Sequence, residues 1–308
     1  MNVAKIYLAS PRGFCAGVSR AIDIVDVVLK KHGKPIYVRH HIVHNDHVIK
    51  GFEKRGVIFI ERIEEVPQGS VIVFSAHGSS PELYNLAKER NLTVYDATCP
   101  LVTKVHLEAK RYASEGYYIA YIGHKNHPEA TGVMGEVPKD SIMLIDSLRD
   151  VNNLKVSASK RMIVLTQTTL SVDDTKLIVN EIRKKYPHAI LPPAFDICYA
   201  TQNRQNAVKE LAKKTEIIFV VGSKTSSNSN KLRDVAVKQG IEAYLINDKT
   251  EIDPKWLEGK SIVGVTAGAS APDELIDEVI NYLSNKKTVV EEITTIKESI
   301  IFPLPKNL

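Results

Sequence analysis

The chain has 308 residues, 44% of them apolar, with a net charge of +5 and 6% aromatic residues. That length covers two or three ordinary domains and buries enough surface to fold without covalent staples. The dispersed, modest positive charge argues against a dedicated nucleic-acid surface. No apolar run approaches the ~20 residues of a membrane span, and the first dozen residues carry neither a long apolar core nor a cleavage site. A cytoplasmic protein is expected, without membrane attachment.

Only three cysteines occur, and each opens a similar stretch. Cys15 lies in PRGFCAGVSRAI. Behind it Val18, Ala21, Ile22, Val25 and Leu29 fall at helical spacing. An apolar strand at Ile36–Val38 then runs into RHHIVHN, and a second at Val71–Phe74 runs into SAHGSS. Cys99 lies in DATCPLVTKV, followed by Val102, Val105, Ala109 and Tyr112 at the same spacing. Strands at Tyr117–Ile122 and Met162–Leu165 run into GHKNHPE and TQTTLS. Cys198 lies in DICYATQNRQNAV, with a helical stripe that becomes clear at Val208, Leu211 and Ala212. Strands at Ile217–Val221 and Ile262–Val265 run into GSKTSSNSN and TAGASAP. The spacings agree: 29 residues from Cys15 to His44, 28 from Cys99 to His127, and 28 from Cys198 to Ser226.

These parallels predict three pseudo-repeated α/β units with small parallel sheets and crossover helices. Their expected spans are residues 1–98, 99–197 and 198–285, with 286–308 as a C-terminal tail. Continuous apolar strands are buried on both faces, and ligands of open α/β sheets collect beyond the carboxyl ends of the strands. Every polar motif above sits there, so the three cysteines are expected to converge.

An odd cysteine count in a cytoplasmic chain is no disulfide framework, and three unrelated buried thiols would be the plain alternative. A cysteine just before a helix is poised to ionise, however. Converging thiolates need a cation, and zinc or an iron–sulfur cluster would serve. No C-x-x-C pair is present, and three ligands leave one position open for chemistry. A [4Fe–4S] cluster held by Cys15, Cys99 and Cys198, with one open iron, is the favoured occupant; zinc and no metal stay open.

The polar loops supply donors rather than carboxylates. His44, His77, His127, Ser226, Ser227, Asn228 and Ser270 suit a diphosphate, although the serine, threonine and asparagine positions equally suit turns and caps. Glu129 stands out in its donor-rich loop as a proton carrier, or as a helix N-cap or first-turn charge. Thr168 could relay that proton. It could instead help cap the helix starting near Ser171, where Ser-Val-Asp-Asp resembles a capping box. Neither G-x-G-x-x-G nor the phosphate-loop spacing occurs, so no bound nucleotide is expected and electrons must come from outside.

Together PRGFCAGV, HNDHVI, FSAHG, DATCPLVTKVH, GHKNHPE, TQTTLSVDDT, DICYATQNRQ, VGSKTSSNSN and GVTAGASAP resemble the LytB/IspH family of 4-hydroxy-3-methylbut-2-enyl diphosphate reductases, from about Ala9 to Pro272. The resemblance implies a trefoil of three α/β lobes around a central [4Fe–4S] cluster. It implies reductive dehydroxylation of 4-hydroxy-3-methylbut-2-enyl diphosphate to isopentenyl and dimethylallyl diphosphate, the last step of the methylerythritol phosphate (non-mevalonate) isoprenoid pathway. It implies cluster ligation by Cys15, Cys99 and Cys198, and diphosphate contacts from His44, His77, His127, Ser226, Ser227, Asn228 and Ser270. Glu129 becomes the proton donor, with the Thr168 hydroxyl beside it. Flavodoxin or ferredoxin becomes the electron donor. The sequence leaves the oligomeric state open, with a monomer or weak dimer expected. No motif position departs from the pattern; His40, His41, His47 and His124 receive no role. The rivals are a redox-neutral dehydratase or condensing enzyme of quinolinate-synthase type, which turns over without reductant, and a binding module, which does not turn over.

Overall fold

The computed structural model describes residues 3–157, 159–192, 196–306 and 308. The first third of the chain gives β1 (Lys5–Ser10), α1 (Ala16–His32), β2 (Ile36–Arg39), α2 (Asp46–Lys54), β3 (Val57–Ile60), β4 (Val71–Phe74), α3 (Pro81–Glu89) and β5 (Thr93–Asp96). The middle gives α4 (Pro100–Ser114), β6 (Tyr118–Ile122), α5 (Pro128–Met134), β7 (Ile142–Ile145), α6 (Leu148–Asn153), β8 (Met162–Thr166) and α7 (Val172–Lys185). The last third gives α8 (Tyr199–Ala212), β9 (Ile217–Val221), α9 (Ser227–Lys238), β10 (Glu242–Ile246), β11 (Ile262–Ala267), α10 (Asp273–Leu283) and β12 (Val289–Thr294). Short 3-10 turns at Ile63–Glu65, Lys249–Glu251 and Pro254–Leu257 complete the connections. Among the described residues no helix is long and apolar enough to cross a membrane.

The strands form three small sheets, in the orders β3-β2-β4-β5, β7-β6-β8 and β10-β9-β11-β1-β12. Among the described residues every ladder is parallel. The expected α/β character with small parallel sheets is therefore present. Each sheet repeats one topology: the first strand of its set (β2, β6 or β9) is central, flanked by the second (β3, β7 or β10) and the third (β4, β8 or β11). The first and third strands are the apolar runs read from the sequence. β8 and β9 are buried along their whole length, which explains their unbroken hydrophobicity. The second strands were not read, because VIFI, IMLI and EAYLI keep half-buried or exposed positions and are only four or five residues long.

A further pairing partner lies beyond each third strand. β5 pairs with β4, an isolated parallel bridge joins Ile190 to Ile163 of β8, and β1 pairs with β11. β5 and β1 end within a few residues of Cys99 and Cys15, and Ile190 lies eight residues before Cys198. Strand pairing thus puts Cys99 and Cys15 shortly after the strands that neighbour β4 and β11. The third sheet takes its strand, β1, from the N-terminus. It gains an extra one from the stretch read as a tail, since β12 runs parallel to β1 from Lys5↔Val289 to Ser10↔Thr294.

The chain groups into two compact units. One comprises Met1–Val18, His44–Lys50 and Tyr199–Ile301; the other comprises Ser19–Val43, Gly51–Cys198 and Phe302–Leu308. The first holds the β9-centred sheet, with Phe219, Val265, Ile276 and Val279 in its core. The second holds the other two sheets, with cores around Phe74 and Ile72 and around Ile122, Val164 and Ile182. Helix starts are well specified. Pro100 and Pro128 occupy the first turns of α4 and α5, where the missing amide costs nothing, and the Ser171 side chain accepts from the Asp174 amide to cap α7.

Candidate active site

Each cysteine immediately precedes a helix, before α1, α4 and α8. All three are half-buried, and none is in a disulfide. Their backbones are anchored alike: the amide of Cys15 donates to Ala269 O (3.2 Å), that of Cys99 to Ala76 O (3.0 Å), and that of Cys198 to Thr168 O (3.0 Å). Ala76, Thr168 and Ala269 are each the second residue past the end of a third strand, β4, β8 and β11. The repeat therefore extends to the atom that fixes each cysteine. Among the described residues no group of three or more His, Cys, Asp and Glu side chains is gathered tightly enough to hold a metal ion. An iron–sulfur cluster would ask for less convergence than a single ion, because its ligands would bind different irons.

The second unit contains six of the residues singled out from the sequence: His77, Cys99, His127, Glu129, Thr168 and Cys198. The rings of His77 and His127 meet edge to face, with centroids 5.8 Å apart. His77 Nδ1 lies 3.2 Å from Ser75 Oγ. His127 caps α5 through Nδ1, which accepts from the Glu129 amide at 3.2 Å; its ring proton is then carried on Nε2, a donor for an anion. Glu129 follows in the first turn of α5 and is 2% exposed. Its Oε1 accepts from the Thr168 amide at 2.7 Å and its Oε2 from the Thr168 hydroxyl at 3.0 Å. Burial pushes the carboxyl up to about 7 against the downward pull of those two bonds. The N-cap of α5 is His127, so Glu129 is a first-turn residue and not the cap.

The first unit contains the others: Cys15, His44, Ser226, Ser227, Asn228 and Ser270. Ser226 caps α9, accepting from the Ser229 amide at 3.2 Å, which leaves its hydroxyl proton to point elsewhere. Asn228 is 4% exposed, yet neither its amide nitrogen nor its carbonyl oxygen has a hydrogen-bond partner. Such a group in the first turn of a twelve-residue helix can meet an incoming polar ligand, and a helix N-terminus favours an anion. Ser270 donates its hydroxyl to His44 O at 2.9 Å, so two residues read separately as ligand contacts are coupled to each other. Gly222 and Gly268 follow β9 and β11, and a Cβ on either would run into the fully buried Ser229 side chain. Those glycines let α9 seat its N-terminus against the strand ends.

Several structural participants were not singled out from the sequence. His106 of α4 is 6% exposed, with Nδ1 2.7 Å from Glu136 Oε1, while Lys110 holds the other oxygen of Glu136 at 2.7 Å. Its ring packs against Gly78 and Gly132, so that a Cβ on Gly78 would lie 2.6 Å from His106 Nε2. It thereby braces the turn bearing His77 and the helix bearing Glu129. Asp196 links the amide of Thr166 (2.9 Å) to Lys104 (2.9 Å) beside Cys198. Arg204 is 1% exposed in α8. Helical periodicity held a signal for it: positions 204, 208 and 211 share one face, so a cation stands on the stripe that buries Val208 and Leu211.

Comparison with known proteins points one way. The sequence model of the LytB protein family matches residues 6–284. The chain is 50% identical over 309 residues to the 4-hydroxy-3-methylbut-2-enyl diphosphate reductase of Azoarcus sp. (strain BH72), covering 100% of this chain and 99% of that one. It is 51% identical over 307 residues to the enzyme of the same name from Pectobacterium atrosepticum, with 99% and 97% covered. Among solved structures, the E-1-hydroxy-2-methyl-but-2-enyl-4-diphosphate reductase from Plasmodium falciparum superposes with a TM-score of 0.96 at 40% identity, over 99% of this chain and 96% of that one. A second, an (E)-4-hydroxy-3-methyl-but-2-enyl diphosphate reductase described as the terminal enzyme of the non-mevalonate pathway, superposes with a TM-score of 0.65 at 31% identity, over 91% and 99%.

Proposed function

The chain belongs to the LytB family, and from that premise we propose that Cys15, Cys99 and Cys198 hold a [4Fe–4S] cluster beside which Glu129 delivers a proton to the substrate. The activity is that of a 4-hydroxy-3-methylbut-2-enyl diphosphate reductase, which converts the allylic hydroxy diphosphate to isopentenyl and dimethylallyl diphosphate at the end of the non-mevalonate pathway. When bound, the cluster supplies electrons and a Lewis-acidic iron. The donor set fits: three half-buried thiols outside any disulfide, each immediately before a helix.

The rest of the chemistry falls to side chains. Asn228, with both amide atoms unsatisfied, and the capping Ser226 at the start of α9 suit the diphosphate oxygens. His127, protonated at Nε2, and His77 beside it add donors, and Ser227 belongs to the same α9 turn. Ser270 orients His44 in this arrangement and would contact the anion by turning its hydroxyl from the His44 carbonyl. The observation that carries the reading is Glu129. It is a buried acid held near neutrality, bonded to the residue whose carbonyl anchors Cys198. An acid with that pKa is protonated often enough at neutral pH to donate and basic enough to be recharged. Thr168 presents its hydroxyl beside it and aligns the carboxyl. A protein electron donor with net negative charge, of flavodoxin or ferredoxin type, complements the chain's +5.

The test is anaerobic reconstitution with iron counting, followed by turnover of the hydroxy diphosphate with dithionite and a mediator dye. Both C5 diphosphates are expected, only with reductant. Turnover without reductant would indicate a redox-neutral enzyme, and ligand binding without turnover a binding module.

A further inference from the structure

The residues that precede Cys15 are held from two sides. From the end of β11 and the turn after it, the Ala267 and Ala269 carbonyls accept the Gly13 and Cys15 amides at 3.4 and 3.2 Å. From α8, the guanidinium of Arg204 reaches the carbonyls of Gly13 and Phe14, the two residues before the cysteine. Nε and Nη2 donate to Gly13 O at 3.1 and 2.8 Å, and Nη2 also to Phe14 O at 3.3 Å. The third nitrogen, Nη1, donates to Ala200 O at 3.0 Å and to both oxygens of Glu298 at 3.1 and 3.2 Å. Arg204 is 1% exposed. A guanidinium cannot shed its charge to ease burial, so it needs a counter-ion. Glu298 is that counter-ion and also accepts from Asn203 Nδ2 at 3.0 Å.

Glu298 arrives there by a defined route. β12 follows β1 in parallel register to Ser10↔Thr294. Thr295 then donates both its amide and its hydroxyl to Ser10 O at 3.0 and 3.1 Å, and Glu292 pairs with Arg12 at 2.7 Å. The C-terminal segment thus tracks the N-terminal strand to the threshold of Cys15, and its carboxylate closes on the arginine holding the preceding carbonyls.

We propose that Arg204 and Glu298 are a positioning pair for the Cys15 thiolate, so that the C-terminal strand and the turn after it belong to the apparatus that retains the cluster. The inference rests on Cys15 being a cluster ligand. A guanidinium fork meets two consecutive carbonyls and fixes the peptide from which the cysteine departs. A lysine at the same place would offer a single point of charge. Glu298 keeps the fork aligned without touching the cysteine.

The experiment follows cluster loss in the reconstituted full-length protein. A ferrous chelator is added without oxygen, bleaching near ~410 nm is timed, and the melting of each apoprotein is recorded by circular dichroism. The variants are Glu298→Gln and Arg204→Lys, with Leu257→Ala, a core truncation in the same unit, as a reference for general destabilisation. Glu298→Gln is expected to bleach about tenfold faster than the parent, the low end for outer partners of metal ligands, while melting no lower than Leu257→Ala. Arg204→Lys is expected to bleach faster still; if it does not fold, Glu298→Gln alone decides. Bleaching of Glu298→Gln at the parent's rate, or rates that follow melting temperature alike in every variant, would overturn the positioning role. A parent protein that takes up no cluster would overturn the ligand assignment of Cys15, and this inference with it.

Discussion

Glu129 accepts two hydrogen bonds from one residue, the amide and the hydroxyl of Thr168, at 2.7 and 3.0 Å. Both bonds favour the carboxylate, yet burial outweighs them and leaves the carboxyl at about 7. Thr168→Val keeps the amide bond and removes the hydroxyl. With one stabiliser of the charged form gone, the pKa of Glu129 must rise. The alkaline limb of the kcat profile is therefore expected at higher pH in Thr168→Val than in the parent. A limb that stays in place or moves lower would contradict the assignment of Glu129 as the titrating acid.

Glu129→Gln removes the proton but preserves shape and most contacts. Turnover is expected to fall by at least ~100-fold, with KM changed less than about threefold, because the side chain is proposed to act on the leaving hydroxyl and not on the diphosphate. The alkaline limb should vanish with it. Near-parental turnover would remove the proton-donor role.

The same carboxyl makes a signed prediction for stability. In the unfolded chain it releases its proton near 4.5, and in the folded chain near 7. Between those values the unfolded state binds fewer protons than the native state, so this group's contribution is complete below pH 4.5 and is lost as pH rises through 7. The parent should lose about 3 kcal/mol relative to Glu129→Gln across that window, as read by urea melts of both apoproteins at several pH values. Parallel stability curves would show that the carboxyl is not buried in its neutral form.

Asn228→Asp puts a charge at the start of α9 in place of the unsatisfied amide. Helix electrostatics tolerate that change, but an anionic substrate does not. KM is expected to rise at least ~10-fold, the loss of one hydrogen bond to a charged group, with melting temperature nearly unchanged. An unaltered KM would place the diphosphate elsewhere.

Gly268→Ala drives a Cβ into Ser229 Oγ. A cost of about 1–3 kcal/mol is expected from overpacking, and Ser229→Ala should recover part of it because the two changes share one contact. Simple additivity in the double variant would mean that the crowding arises elsewhere.

How much of this was legible in the residues follows from how each feature is encoded. The first and third strands of every sheet are unbroken apolar runs, so their positions were readable to within a residue or two. The intervening strands, such as Val57–Ile60, carry exposed positions and no distinct period. The roles of β1 and β12 depend on parallel pairing between chain ends nearly three hundred residues apart, which no local pattern reports. In the site, His77 and His127 were visible because repeated loops put them in register. Arg204 was visible only as a charge interrupting an apolar stripe. Glu298 was not visible at all, since its partner comes from far along the chain.

The anchoring of each cysteine amide to the turn after a third strand has a mechanical corollary. Those turns also carry His77, Thr168 and Ser270. A single short span of backbone therefore anchors a cysteine and carries a proposed site residue. Under the proposed ligation and contacts, any drift in such a span would register twice, as fading colour and as faltering turnover.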